Sequence, residues 1–343
     1  MVLPNWFGDV LFATSFLTAL KERAPSARMA ALGVGRAQEI LQGHPALDEL
    51  IRLDEPAGGD FSRGWRLIAR LRAGRFDAAF LLRRSASRTA LAWLAGIPRR
   101  VGAENVKTGW MLTDRIPPPR EPCHRAAGYL RLLAALGADA QPPRARPPEY
   151  RYYPSDEERA FAAALLRRHG IGAEEPFVAL HPGANWPHKR WAAERFGELA
   201  VRLAAAGWRV ALTGAPEDEP WIRDVAGRLS PSPVVLAGGT TLRQAAACLE
   251  RARLVVAGDT GVLHLACAMG RPVLGLYGPT APSITGPLAA PERAVVIHHS
   301  DCCPSVPCYA PEHPGHPGMA SISVEEVLDA ARILLTGSTA RQQ

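Results

Sequence analysis

The stretch LVVAGDTGVLHLACAMGRPVLGLY, residues 254–277, predicts a strand, a helix and a second strand in direct succession. Its two ends are short apolar runs, as buried parallel strands are, and residues 261–269 between them have the pattern of a helix. The turn that opens this helix is polar, Gly258-Asp259-Thr260-Gly261, and His264 stands one turn further in. A buried helix needs none of these polar groups. The βαβ unit therefore indicates a parallel sheet with a polar site at the end of a strand.

The alternation of strand and helix patterns continues through the chain in two series. In the first, predicted strands 2–4, 28–34, 49–53, 77–82 and 99–102 alternate with predicted helices 9–23, 37–41, 63–73, 87–94 and 125–136. In the second, strands 177–181, 209–213, 234–236, 254–257 and 272–277 alternate with helices 155–169, 192–206, 219–229, 242–250 and 261–269, and Ser323 caps a last helix that runs to Leu335. A proline-rich stretch, 139–154, separates the series. We predict an α/β protein of two doubly wound, Rossmann-like domains, 1–150 and 151–322, with a closing segment 323–343.

Composition narrows the class of protein. A chain of 343 residues with 47% hydrophobic residues can form two domains with ordinary cores. Six cysteines in a chain of this size do not indicate a disulfide framework. The sequence has neither the pattern of a signal peptide nor an apolar run long enough to span a membrane, so we expect a cytoplasmic protein.

The positive charge is concentrated in the first half. The net charge of the chain is +7, and residues 1–150 contain 22 Lys and Arg against 14 Asp and Glu. An anionic partner, such as a phosphorylated lipid, a membrane surface or a nucleic acid, would explain this excess. An arginine-rich solvated surface would explain it equally well.

Polar residues that follow predicted strands are the candidates for chemistry. Asp9 follows the first strand, where a carboxylate is either a helix cap or a general base. In HPGANWPHKR, Lys189 precedes a helix, and a lysine beside free backbone N–H groups is a phosphate site or else part of a basic surface loop. Glu217 and Asp218 follow the next strand, where they either hold ribose hydroxyls or cap a helix.

The turn at Asp259 has the same placement. The Thr260 hydroxyl and the first N–H groups of the helix would face a ligand, and the helix dipole favours an anion there. Taken alone, His264 is more typical of a core histidine. No Asp-x-Asp pair follows a strand, so we expect no metal–diphosphate clamp. The terminal loop has no spacing typical of a zinc site among its soft ligands Cys302, Cys303, Cys308, His313 and His316.

Four motifs, taken together and in this order, resemble those of the family 9 glycosyltransferases, the ADP-heptose:lipopolysaccharide heptosyltransferases. They are PNWFGDVLFAT (4–14), HPGANWPHKRWAAERFGELA (181–200), GDTGVLHLACAMGRPVLGLYGPTAP (258–282) and ISVEEVLDAARILL (322–335). The first motif and the Pro-Gly-Ala loop are most similar to the heptosyltransferase II branch. Two features depart from the family: the strand before the first motif is short, and the terminal loop has fewer cysteines.

The resemblance implies a GT-B fold, two Rossmann-like domains facing a central cleft, with the closing helix returning to the first domain. It implies inverting transfer of heptose from ADP-heptose to the inner-core heptose of phosphorylated lipopolysaccharide, with neither cofactor nor metal. Asp9 matches the general base, and Lys189 the group that neutralises the leaving diphosphate. The donor signature is matched by Asp259, Thr260, Gly261 and His264, with Glu217 or Asp218 near the ribose.

For the acceptor, the resemblance implies contacts from the first domain. They would come from Asn5 and Trp6 and from basic residues, namely Arg83, Arg84, Arg88, Arg99, Arg100 and Lys107. We expect a monomer, peripheral at the cytoplasmic face of the inner membrane, with no nucleic-acid partner. The alternatives are a family 9 enzyme with another donor or acceptor, a GT-B nucleotide-sugar epimerase, and a membrane-associated assembly protein without turnover.

Overall fold

The computed structural model describes residues 1–53, 61–137, 149–227, 229–230, 233–300, 306–308 and 316–337. The chain divides into two compact units, Met1–Tyr153 and Pro154–Gln343. The division falls at the end of the proline-rich stretch.

The first unit is a parallel sheet flanked by helices. Its strands are β1 (Ala30–Gly33), β2 (Glu49–Arg52), β3 (Ala78–Leu81), β4 (Arg99–Ala103) and β5 (Asp114–Ile116). Its helices are α1 (Phe7–Arg23), α2 (Gly35–Leu41), α3 (Phe61–Ala73), α4 (Ala86–Leu94) and α5 (Arg125–Leu130). β1 pairs with β2, and β3, β4 and β5 pair in that order. Val2 bridges Leu32 of β1 and Leu81 of β3, so the predicted first strand is present as a short bridging segment.

This arrangement creates a switch point at the first segment of the sheet. From Val2 the chain crosses to β1 on one side, and it later reaches β3 on the other. Ligands of open parallel sheets bind at such a point, outside the carboxyl ends of the strands. Residues 4–6 and the first turn of α1 lie there.

Helix α1 is held by burial along most of its length. Phe12 and Phe16 are almost completely buried. The Phe12 ring meets Tyr150 edge to face, with ring centroids 5.2 Å apart, and α1 also packs on α2 and α5. Because apolar residues cover nearly all sides of the helix, its position is fixed by the core, and so is that of the polar residues in its first turn.

The second unit contains a fully parallel sheet in the order β11-β10-β9-β6-β7-β8 among the described residues. Its strands are β6 (Phe177–His181), β7 (Arg209–Leu212), β8 (Val234–Val235), β9 (Leu254–Gly258), β10 (Val273–Tyr277) and β11 (Ala294–His298). Its helices are α6 (Asp156–Arg168), α7 (Ala193–Ala205), α8 (Glu219–Ala226), α9 (Leu242–Leu249), α10 (Gly261–Ala268), α11 (Pro282–Thr285), α12 (Pro317–Ser321) and α13 (Val324–Gly337). The strand order reverses between β6 and β9, which is the switch point of this sheet. The parallel sheets of both units confirm the predicted α/β class.

Short elements differ from the sequence prediction. β5 and β11 were not predicted, because β5 has three residues, two of them charged, and β11 is a half-buried edge strand. The predicted helix 125–136 is α5 followed by a 3-10 helix, Arg131–Leu136.

Helix α13 begins as predicted, with the Ser323 hydroxyl accepting the Glu326 N–H at 3.2 Å. Helix α13 contacts α7, β9, β10 and β11 of the second unit. Its apolar face explains these contacts, since Val327, Leu328 and Leu334 join the core of that unit. In the described part of the chain, no helix has the length and apolar character needed to cross a membrane.

Candidate active site

Lys189, Asp259 and His264 form a cluster at the carboxyl end of β9. Asp259 directly follows β9, and Lys189 ends a 3-10 turn, Pro187–Lys189, in the loop after the neighbouring strand β6. Lys189 Nζ donates to Asp259 Oδ2 at 2.6 Å, and His264 Nε2 lies 3.5 Å from Asp259 Oδ1. Asp259 and His264 are buried side chains, whereas 19% of the Lys189 side chain is exposed. Lys189 is therefore the most accessible member of the cluster.

The Asp259 carboxyl is held in its charged form. Burial acts to raise its pKa, but the hydrogen bond from His264 and the positive charge of Lys189 outweigh burial and hold the pKa of Asp259 well below its usual range. Burial, and then the charge of Asp259, raises the pKa of the nearby Tyr277 above its usual value. Asp259 therefore provides a fixed negative charge that positions Lys189 at the switch point.

Asp259→Asn is expected to lower the free energy of unfolding by about 3 kcal/mol at neutral pH, because it breaks a largely buried ion pair. Since folding lowers the pKa of Asp259, this contribution is complete above the unfolded pKa near 4 and is lost as the pH falls below it. The difference between wild type and variant should therefore shrink below about pH 4, as measured by urea unfolding across pH. Asp329→Asn, on an exposed pair with Arg332, is the control. If the difference in free energy of unfolding between wild type and Asp259→Asn stayed constant down to pH 2, Asp259 would not be the charged partner of a buried ion pair.

The turn into α10 leaves a buried hydroxyl that has no partner among the described residues. Thr260 is the N-cap of α10 in an extended conformation, and its side chain makes no capping hydrogen bond. Its Oγ1 is buried and unpaired within the part of the chain that the structure describes. Gly258 permits the close approach of the Lys189 turn, since a Cβ there would lie 3.0 Å from the Lys189 carbonyl. Unpaired buried hydroxyls are costly, so Thr260 and Gly261 are suited to a polar ligand at a helix N-terminus.

Glu217 and Asp218 have different environments. Asp218 is buried, and its Oδ2 accepts the Ala215 N–H at 3.0 Å. Its carboxyl also packs on Gly183, where any Cβ would overlap it, so Asp218 joins the loops after β6 and β7. Glu217 is exposed at the carboxyl end of β7. Of the two predicted ribose acids, Glu217 is therefore the one a ligand can reach.

Sequence reasoning missed two residues near this cluster. Trp186 lies beneath Lys189, with Nζ 5.1 Å from the centroid of the indole ring. Thr280 follows β10, and its buried Oγ1 has no partner among the described residues. Asp259 is the first residue after β9, whereas Thr280 is the third after β10, so a search for polar residues in the whole turn after each strand could have found Thr280. For Trp186 the sequence offered no comparable signal.

In the first unit, Asp9 is a buried carboxylate in the first turn of α1. The N-cap of α1 is Trp6, and Asp9 is the third helical residue, so the alternative that Asp9 is the cap is wrong. Asp9 Oδ1 lies 3.3 Å from Arg125 Nε, and 10% of the Asp9 side chain is exposed. Burial, and then the charge of Asp9, raises the pKa of Tyr129 on α5 above its usual value. Arg125 was not predicted, because its pairing depends on the packing of α5 on α1.

The residues predicted to bind the acceptor lie mostly after the carboxyl ends of strands in the first unit. Asn5 and Trp6 follow the bridging segment, and Asn5 Oδ1 accepts from Arg88 Nη2 at 2.6 Å. Trp6 is 69% exposed. The other exposed candidates after strands β3 and β4 are Arg83, Arg84 and Lys107.

Arg88, Arg99 and Arg100 do not lie as expected. Arg88 is buried on α4. Arg99 and Arg100 are the first residues of β4, at its amino end. Arg99 pairs with Asp114 at 2.9 Å, and Arg100 Nε donates to the Met111 carbonyl at 2.6 Å. These contacts fix the guanidinium groups of Arg99 and Arg100 within the fold, away from the edge where the other candidates lie.

The terminal loop is only partly described. Cys302, Cys303 and His313 lie outside the described residues, whereas Cys308 is buried. His316 is the N-cap of α12 and accepts the Gly318 N–H at 3.1 Å. Over the described ranges, no group of three or more His, Cys, Asp and Glu could hold a metal ion.

The fold and the site define an α/β protein whose second unit carries a largely buried lysine–aspartate–histidine cluster at a strand end and whose first unit carries a buried carboxylate. Residues 64–313 match the profile of glycosyltransferase family 9 (heptosyltransferase). The chain belongs to this family and is a glycosyltransferase, as the sequence motifs predicted.

Relatives of known name are similar to this chain in sequence and in structure over most of its length. Lipopolysaccharide heptosyltransferase 2 of Escherichia coli K12 is 27% identical over 304 residues, covering 85% of this chain and 86% of that protein. The structure of E. coli ADP-heptose lipopolysaccharide heptosyltransferase II superposes with a TM-score of 0.79 at 25% identity, covering 98% of each chain. The family 9 glycosyltransferase from Veillonella parvula gives a TM-score of 0.86 at 26% identity, covering 98% of this chain and 96% of that one. These structures confirm the predicted GT-B class.

Proposed function

We propose that this enzyme transfers heptose from ADP-heptose to the inner-core heptose of lipopolysaccharide. The observation that carries the proposal is the Lys189–Asp259–His264 cluster beside the N-terminus of α10, at the switch point of the second sheet. Membership of the heptosyltransferase family and the names of the relatives support heptose as the sugar. Incubation with ADP-heptose and a truncated core acceptor, followed by NMR of the product, tests it.

The donor binds along the carboxyl edge of the second sheet in this proposal. The diphosphate lies at Lys189 and the N–H groups of Thr260 and Gly261, where a cation and a helix dipole both favour negative charge. Glu217 accepts from the ribose, because the carboxyl of Asp218 is already used within the fold. His264 keeps Asp259 in place, and Asp259 in turn orients the Lys189 ammonium.

The first unit supplies the base. Asp9 takes the proton of the attacking acceptor hydroxyl, the acceptor oxygen bonds to C1 of heptose, and the bond from C1 to the diphosphate oxygen breaks. Attack from the face opposite ADP inverts the anomeric carbon. Lys189 and the helix N-terminus stabilise the charge that develops on the leaving diphosphate, and this reaction uses no metal ion.

The acceptor contacts lie in the first unit as well. Asn5 is oriented by Arg88, and the exposed Trp6 offers an apolar surface on which a sugar ring can pack. Arg83, Arg84 and Lys107 are exposed cations that suit the phosphates of an inner-core acceptor. Because that acceptor is lipid-anchored, we place the enzyme at the cytoplasmic face of the inner membrane. One chain supplies all of these residues, so a monomer suffices.

A further inference from the structure

Exposed indoles occur on neighbouring elements of the first unit. Trp65 of α3, Trp93 of α4 and Trp110 of the 3-10 turn Gly109–Met111 are 63%, 44% and 64% exposed. The rings of Trp93 and Trp110 meet edge to face with their centroids 5.4 Å apart. α3 and α4 pack side by side, and α4 packs on the turn that carries Trp110. Trp93 and Trp110 therefore form a joined pair of exposed indoles, and Trp65 lies on the helix packed beside them. Isolated exposed apolar residues would need no explanation, but this grouping does.

This layer is also basic. α3, FSRGWRLIARLRA, contains four arginines, of which Arg70 pairs with Glu49 of β2 at 2.9 Å. Neither α3, α4 nor the turn Gly109–Met111 contains an acidic residue. The apolar side of α3 is used in the core, where Ile68 and Leu71 are buried. Trp65 and Arg72 are seven residues apart, so they lie on the same side of the helix.

Two arginines stand beside the indoles. Arg72 Nη2 donates to the carbonyl of Leu94, the residue after Trp93, at 2.7 Å. Arg100 Nε donates to the carbonyl of Met111, the residue after Trp110, at 2.6 Å. Arg72 Nε and Arg100 Nη1 also donate to backbone carbonyls, so each guanidinium group is held beside an indole, and one terminal nitrogen of each has no partner among the described residues. We call Trp65, Trp93, Trp110, Arg72 and Arg100 the tryptophan–arginine face.

The chemistry of this face matches an anionic bilayer surface. Indoles prefer the headgroup level of a membrane, where the ring is partly apolar and the N–H is hydrated. Arginine side chains pair with lipid phosphates, and a basic surface is attracted to anionic lipids. We propose that the tryptophan–arginine face docks the first unit on an anionic membrane. The inference rests on the proposed function to the extent that the acceptor is lipid-anchored.

The test is co-sedimentation of the full chain with lipid vesicles. We expect binding to vesicles of phosphatidylglycerol and phosphatidylcholine, weaker binding to phosphatidylcholine alone, and loss of binding as salt screens the charges. The double variant Trp93→Ser/Trp110→Ser should bind on the order of tenfold more weakly, because it removes the apolar anchors. The matched control is Ile333→Ser, a residue 67% exposed on α13 in the second unit.

Two further measurements separate this inference from the proposed function. The double variant should remain folded, as circular dichroism shows, and should keep wild-type heptose transfer to a soluble, delipidated acceptor. If the wild-type enzyme transferred no heptose to the soluble acceptor, the proposed function would be contradicted and the docking face would not. Equal binding to neutral and anionic vesicles, or an equal loss with Ile333→Ser, would overturn the docking face. A dimer that the double variant dissociates would identify the face as a contact between copies and would also overturn it.

Discussion

Asp9→Asn is expected to lower kcat for heptose transfer by about 10² to 10⁴, the range that a positioned general base contributes. The variant keeps the shape of the side chain but cannot accept the proton of the acceptor hydroxyl. Because Asp9 lies in the first turn of a helix fixed by its core contacts, we expect the fold to remain. Steady-state kinetics with ADP-heptose and a truncated core acceptor give the comparison.

The control for this experiment is Asp77→Asn, an exposed carboxylate of the first unit that should leave kcat unchanged. A melting temperature measured in parallel shows whether Arg125, left without its partner, disturbs α1 and α5. If Asp9→Asn turned over at a rate near that of the wild type, Asp9 would not be the base.

Lys189→Met is expected to lower kcat by about 10² to 10³, because it removes a cation from the group on which negative charge develops. It should also raise the Kd of ADP about 10- to 100-fold, as loss of a charge-assisted hydrogen bond does. The Kd of AMP, which lacks the second phosphate, should change less. Methionine keeps the aliphatic part of the side chain over Trp186.

Isothermal titration with ADP and AMP measures these affinities. Lys21→Met, a partly exposed lysine of the first unit, is the matched control. Equal affinity of wild type and Lys189→Met for ADP would remove Lys189 from the phosphate site.

Local patterns predicted much of the fold. The apolar runs of β6, β9 and β10 are strands buried on both faces, which is the pattern that parallel sheets produce. The rule that ligands bind at carboxyl ends then indicated Lys189 and Asp259, and the structure joins them in one ion pair. β11 was not predicted, because a half-exposed edge strand has a weak apolar pattern.

Features that depend on tertiary packing could not be read from the sequence. The pairing of Asp9 with Arg125 requires α5 to pack on α1. Glu217 and Asp218 could be told apart as candidate ribose-binding acids only from the close contact of Asp218 with Gly183 in the structure. The predicted strand 99–102 already placed Arg99 and Arg100 at its amino end, but the contacts of their guanidinium groups with Asp114 and the Met111 carbonyl depend on packing.

The central claim is the transfer of heptose itself. The most direct measurement incubates the enzyme with ADP-heptose and a truncated core acceptor that ends in the first inner-core heptose, with a chelator present, and examines the product by NMR. We predict one added heptose with inverted anomeric configuration and one equivalent of ADP released. An epimerised donor, transfer only from another nucleotide sugar, or no turnover of ADP-heptose would contradict the account.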